Sequence, residues 1–133
     1  MIVGLKPLAG DYAISRLTRD AALPTWADGG GFVAIARTED ELSVVCLAAR
    51  VPAGVKSDGP WRALKFLGPF AFNETGIAAA VLQPLAQAAI GIFLVSTFDT
   101  DYLLLKAADF ERGLQVLVTA GHRIEASETE PRG

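Results

Sequence analysis

The chain holds one cysteine and one histidine in 133 residues. Cys46 alone cannot close an internal disulfide, so a reducing, cytoplasmic residence is the expectation. It lies in an apolar stretch and reads as a small core residue. His122 has no second His or Cys at ligand spacing, so no metal site is expected. It follows a helix-ending glycine, where a cation often sits only for the helix dipole. Positive charge is also sparse. The 12 Lys and Arg are scattered against 15 Asp and Glu, for a net charge of −3. A surface that neutralises phosphates needs a basic patch, so no nucleic acid is expected as a partner. No apolar run approaches the ~20 residues that span a bilayer, and no membrane association is expected. The N-terminus lacks the basic start, apolar core and cleavage site of a signal peptide. Ser96 has no histidine assigned near it, which leaves a Ser/His/Asp triad unsupported. Gly29-Gly30-Gly31 lacks the Lys and Thr of a phosphate loop and reads as a flexible turn. No enzyme activity and no cofactor are expected.

Apolar residues are plentiful. They make up 51% of the chain and charged residues 20%, which supports a real core and excludes wholesale disorder. The length suits one ordinary domain or two very small ones. In the first part, residues 12–17 read as a strand. Residues 22–31 read as a loop with one helical turn at residues 24–27, where Pro24 suits the first helical position. Residues 32–37 and 42–47 read as strands of a hairpin joined by residues 38–41. Residues 51–60, with two Pro and two Gly, read as a linker.

The second part is more regular. Residues 61–67 form a strand. A helix capped by Asn73 or Thr75 runs to about Ala88, with Ile77, Val81 and Leu85 on one face. Pro84 lies deep inside it and should kink it. Residues 90–96 are nearly all apolar and read as a central strand, and residues 102–106 as another. Asp109 opens a second helix carrying Phe110, Leu114, Leu117 and Val118, and Gly121 ends it in the left-handed conformation. Residues 122–125 form a short last strand, and residues 127–133 a polar tail. The order βαββαβ, with both helices on one face of an antiparallel sheet, is a ferredoxin-like sandwich of α+β class.

Two polar elements interrupt the apolar stretch from Gly68 to Asp101: Asn73-Glu74-Thr75-Gly76 and Ser96-Thr97-Phe98-Asp99-Thr100-Asp101. Carboxylates and backbone donors gather at both, as a small zwitterionic ligand would need. Glu74 is either a helix-end residue favoured by the dipole or an acceptor for a ligand ammonium or guanidinium. Gly76 either permits close packing or helps the unpaired N–H groups of Thr75, Gly76 and Ile77 hold a carboxylate. Asp99 reads as a solvated turn residue. Thr97 and Phe98 either wall a pocket or simply end a sheet.

The stretch Ala71-Phe72-Asn73-Glu74-Thr75-Gly76-Ile77, followed by Ser96-Thr97-Phe98-Asp99-Thr100-Asp101, resembles the ACT domain. It is similar to the regulatory domains of aspartate kinases, to small bacterial tandem-ACT proteins and to the arginine-sensing regulators of the TOR pathway. Ala71 stands where the pattern has Gly. The resemblance covers about residues 59–125. It implies tandem ACT-like units, a reduced one over residues 1–58 and a complete one over residues 59–126. It further implies a non-catalytic sensor or regulatory role, with a free amino acid bound at the interface of paired units. The ligand-binding residues it implies are Ala71, Phe72, Asn73, Glu74, Thr75, Gly76, Ile77, Thr97, Phe98, Thr100 and Asp101. The two acids Glu74 and Asp101 suit a cationic amino acid such as arginine or lysine; the alternative is that one serves the α-ammonium and the other is solvated. ACT units usually pair, so a homodimer through the second unit is expected. The alternative role is an interaction module that keeps the fold without a ligand.

Overall fold

The computed structural model describes residues 1–68, 70 and 75–126. Four strands come first: β1 (Gly4–Pro7), β2 (Tyr12–Leu17), β3 (Ala34–Arg37) and β4 (Leu42–Leu47). Then follow β5 (Lys56–Phe66), helix α1 (Ile77–Gln87), β6 (Phe93–Ser96), β7 (Asp101–Lys106), helix α2 (Phe110–Thr119) and β8 (Arg123–Ile124). A single 3-10 turn at Thr25–Ala27 fills the expected helical position in the first loop.

All eight strands join one sheet, and β5 is its axis. One edge of β5 pairs first with β2, through Arg16↔Lys56 to Tyr12↔Trp61, and then with β1, through Pro7↔Leu64 to Leu5↔Phe66. Its other edge pairs with β7, which pairs with β6. On the far side of β2 the antiparallel β3–β4 hairpin continues the sheet. Among the described residues β8 pairs with β1, in parallel, and not with β5.

Both helices cover one face. Leu64, Phe66, Leu103 and Leu105 of the sheet share a buried cluster with Ile77, Val81 and Leu85 of α1 and with Phe110 and Leu117 of α2. The 3.6-residue spacing of those helix positions and the two-residue spacing of the strand positions bring them together. The ferredoxin-like α+β arrangement expected from the order βαββαβ is therefore present. The opposite face carries Tyr12, Val45, Trp61, Ala63 and Leu104 with Phe32. A third cluster of Leu42, Val44 and Cys46 lies under Ala27. Strand β4 thus buries both faces, which is why its sequence is almost continuously apolar. Burial raises the Cys46 thiol pKa against the lowering pull of Arg50, so the thiol stays protonated in the core.

Several expectations need correction. β1 was not read as a strand, because Gly4-Leu-Lys-Pro is short and carries Gly and Pro. The linker read over residues 51–60 ends early: β5 begins at Lys56. The apolar run from Ile90 is not a central strand. Ile90 packs into the helix-side core, and the strand proper begins at Phe93 and bonds only to β7 among the described residues. Gly76, with φ of 81°, occupies the N-cap of α1 in place of Thr75 or Asn73, and no side chain caps it. Gly121 does end α2 in the left-handed region, at φ 99°.

Pro84 finds its explanation in His122. A proline at 84 has no N–H to give the carbonyl of Ala80 four residues back. His122 is 5% exposed and its Nε2 lies 2.8 Å from that carbonyl oxygen. Its Nδ1 accepts the N–H of Val3 at 3.0 Å, which leaves the ring proton on Nε2 to donate to Ala80. The residue read as a helix-end cation is instead a buried link between the N-terminal segment, α1 and α2.

At the other end of β5, Asp58 Oδ2 accepts Trp61 Nε1 at 2.9 Å and Lys106 Nζ at 2.6 Å, and Lys106 lies over the Trp61 ring. The bonds from Lys106 and Trp61 lower the Asp58 pKa from its ordinary value of 3.8. A carboxylate with a depressed folded pKa contributes stability above its unfolded pKa and loses it as pH falls through the folded one. Asp58→Asn is therefore expected to lower the melting temperature at pH 7. The difference from wild type should shrink as the pH drops below about 3.8, as thermal melts across pH 2–7 would show. A difference that grows with acid would refute the assignment.

Candidate functional site

Strand β5 ends at Phe66, and the β6–β7 turn is fastened to that end. Thr100 is buried, and its hydroxyl donates to the Phe66 carbonyl at 2.7 Å. The turn also closes on itself: Thr97 N and Oγ1 both donate to the Thr100 carbonyl, at 2.8 and 3.0 Å. A threonine is needed at 100 because a branched hydroxyl side chain can both fill the buried position and reach the strand end. Phe70 N donates to the Asp99 carbonyl at 3.4 Å, which lays the segment leaving β5 along the same turn.

Between the two lies a cleft of about 290 Å³ lined by Lys65, Leu67, Gly68, Asp99 and Thr100. Its rim carries both signs of charge. Asp101 sits across from Ser96 in the β6–β7 register, and the Ser96 hydroxyl donates to Asp101 Oδ1. Phe98 projects from the turn, 79% exposed.

Thr97, Phe98, Thr100 and Asp101 are thus gathered in one turn. Thr75, Gly76 and Ile77 stand at the start of α1, whose first N–H groups lack intrahelical partners. The Ile77 side chain itself is buried in the helix-side core. Ala71, Phe72, Asn73 and Glu74 lie outside the described residues. Two cleft residues escaped the sequence reading. Asp99, expected to be a solvated turn residue, is exposed and also lines the cleft. Lys65 was unremarked inside an apolar strand, although a lysine flanked by Leu64 and Phe66 was the available signal. Among the described residues no group of three or more His, Cys, Asp or Glu is placed to hold a metal ion. No described helix is long and apolar enough to cross a membrane.

Residues 56–119 match the family model of the ACT domain, and residues 10–54 match the model of a separate N-terminal domain. No curated protein matches the chain. Among solved structures, a protein of Agrobacterium tumefaciens is 49% identical, with a TM-score of 0.93, and the match covers 100% of this chain and 99% of that one. A Vibrio cholerae protein described as of unknown function and a possible transport protein is 20% identical, with a TM-score of 0.73 over 89% of each chain. The regulatory subunit of aspartate kinase from Thermus flavus is 11% identical, with a TM-score of 0.59 over 90% of this chain and 97% of its own. The match to the ACT model spans β5 through α2, the same elements that place both helices on one sheet face, so residues 56–119 form an ACT domain, and the chain has the fold of the aspartate kinase regulatory domains.

Proposed function

We propose that this protein is a non-catalytic regulatory sensor of a free amino acid, acting in the cytoplasm as a homodimer, with the ligand held where two copies pair through the ACT unit. The carrying observation is the turn of Thr97–Asp101 fastened to the end of β5 through Thr100: Asp99 of that turn lines a cleft of about 290 Å³. Unpaired N–H groups and the positive end of α1 suit an α-carboxylate. Asp101, with Glu74, suits an ammonium or guanidinium, which favours arginine or lysine. The tandem division at residue 58 belongs to this reading too, with the regulatory role of the aspartate kinase subunit as its analogy.

A thermal-shift screen of free amino acids tests the reading, because a ligand of the native state raises its melting temperature. Charge-assisted hydrogen bonds of roughly 1.5–3 kcal/mol make each acid worth about tenfold or more in affinity. Asp101→Ala and Glu74→Ala are expected to keep the ligand-free melting temperature within a few degrees and to lose the ligand-induced rise. Calorimetric titration showing wild-type affinity in both would place the pocket elsewhere. Light scattering that finds only a 14.0 kDa species at micromolar concentration would sink the dimer. One observation favours an interaction module without ligand: Asp101 is already satisfied by Ser96 within the chain. A screen in which no amino acid shifts the wild type would select it.

A further inference from the structure

The outer face of the two helices lacks what a water-facing surface normally carries. No charged residue occurs between Glu74 and Asp99, in a chain of which 20% is charged, so all of α1 is uncharged. Its stripe of Ile77, Val81 and Leu85 is buried, while Ala79, Gln83 and Ala86 are exposed. A helix that rests on a core by one stripe ordinarily presents charged residues on the opposite one. Depletion of charge is the compositional mark of an interface core. The face is also indented between α1 and α2. A groove of about 500 Å³ has Pro84, Ala88, Val116 and Ala120 in its lining. The side chains at 84, 88 and 120 are short, so neither helix fills it. Among the described residues Arg112 is the only charged one in the lining, and its charge is answered within the chain. The guanidinium donates to the Ala88 carbonyl at 2.9 Å and lies 3.4 Å from the Asp109 carboxylate.

A knob stands beside the groove. Val118 is 50% exposed and lies one helical turn on from the lining residue Gln115. A groove and an apolar knob on one uncharged face can serve each other across a two-fold axis, where residue i of each copy meets residue j of the other. A charged partner laid on α1 would have to bury its charges unpaired, at a high desolvation cost. A second copy of the same face brings none. We propose that the α1–α2 face is the surface through which two copies of this chain pair, with Val118 of each seated in the groove of the other. The short side chains of Ala79 and Ala86 let the helices approach closely. This rests on the reading above that the protein is a homodimer through its ACT unit, which holds both helices, and assigns the face.

Sedimentation velocity over a dilution series, from high micromolar to submicromolar protein, tests the assignment. Wild type is expected to dimerise. Ala86→Arg and Val118→Lys each place a charge at an exposed helix position, where the single chain can carry it. Each is expected to weaken the dimer about tenfold or more, because the added charges face each other or go unpaired across the axis. Ala36→Arg adds the same charge on the exposed strand β3 and is expected to dimerise like the wild type. Dilution of the wild type should move the backbone amide resonances of residues 83–88 and 115–120. A wild type that is monomeric at every concentration would overturn both this face and the homodimer itself. A dimer as tight in Ala86→Arg and Val118→Lys as in the wild type would overturn the face alone. So would dilution shifts confined to β6 and the Thr97–Asp101 turn, or an equal weakening in Ala36→Arg. The screen of free amino acids is read separately from all of these.

Discussion

His122→Ala is expected to cost about 3 kcal/mol, roughly 10 °C in melting temperature for a domain of this size. The imidazole satisfies two backbone groups at once, the Val3 N–H and the Ala80 carbonyl. Truncation strands both in a nearly closed site, at about 1–3 kcal/mol for each buried group left unpaired, and the emptied ring volume adds a cavity term. The cost should depend on residue 84. Alanine at 84 restores an N–H four residues after Ala80, so the carbonyl regains a helical partner. Combining Pro84→Ala with His122→Ala is therefore expected to recover about 1 kcal/mol relative to the sum of the single changes. Urea unfolding of the four proteins closes this cycle. Strict additivity would mean that the histidine does not serve the proline's orphan.

Gly31→Val is expected to cost a similar amount, about 3 kcal/mol, for two separable reasons. Gly31 has φ of +79°, and a Cβ there would stand 2.8 Å from the Tyr12 hydroxyl and 3.2 Å from Leu47 Cδ1. The left-handed backbone alone costs a branched residue about 1–2 kcal/mol. The contact adds more, because Tyr12 is fully buried and its hydroxyl is the acceptor for the Phe32 N–H. Moving the ring strands that amide. Gly54 supplies the comparison: its φ is +89° but nothing lies within 4 Å of its would-be Cβ. Gly54→Val should therefore show the backbone term without the contact. Equal losses at the two positions, read from chemical denaturation, would remove the Tyr12 argument. The triple glycine is thus not a loose turn. Arg50 donates to the Gly30 carbonyl at 2.7 Å and clamps it from below.

Elements whose periodicity is local were legible in the sequence. The spacing of Ile77, Val81 and Leu85, and of Phe110 and Leu117, set both helices and their common face. The alternation and turn chemistry around residues 38–41 set the first hairpin. What stayed hidden depends on partners far along the chain. A four-residue strand such as β1 has no period to detect and exists because β5 and β8 flank it. Pro84 looked like a defect because its remedy lies 38 positions away by residue number. Of the site, the Thr97–Asp101 turn was readable from its polar residues between apolar strands. Lys65 was not, because its place on the cleft comes from the pairing of β5 with β7, which brings the turn of Asp99 and Thr100 beside it.

The placing of β1 between β5 and β8 bears on how the protein is made. Gly4 and Leu5 leave the ribosome more than a hundred residues ahead of their parallel partners Arg123 and Ile124. Until then β1 can rest on β5 with its outer edge open. The backbone groups on that edge are a template for any extended strand in reach. Until β8 arrives, the nascent chain therefore carries an unsealed sheet margin. Contacts of such long sequence separation are slow to form, so the interval just before closure is when this chain is most exposed to pairing with a neighbouring copy of itself.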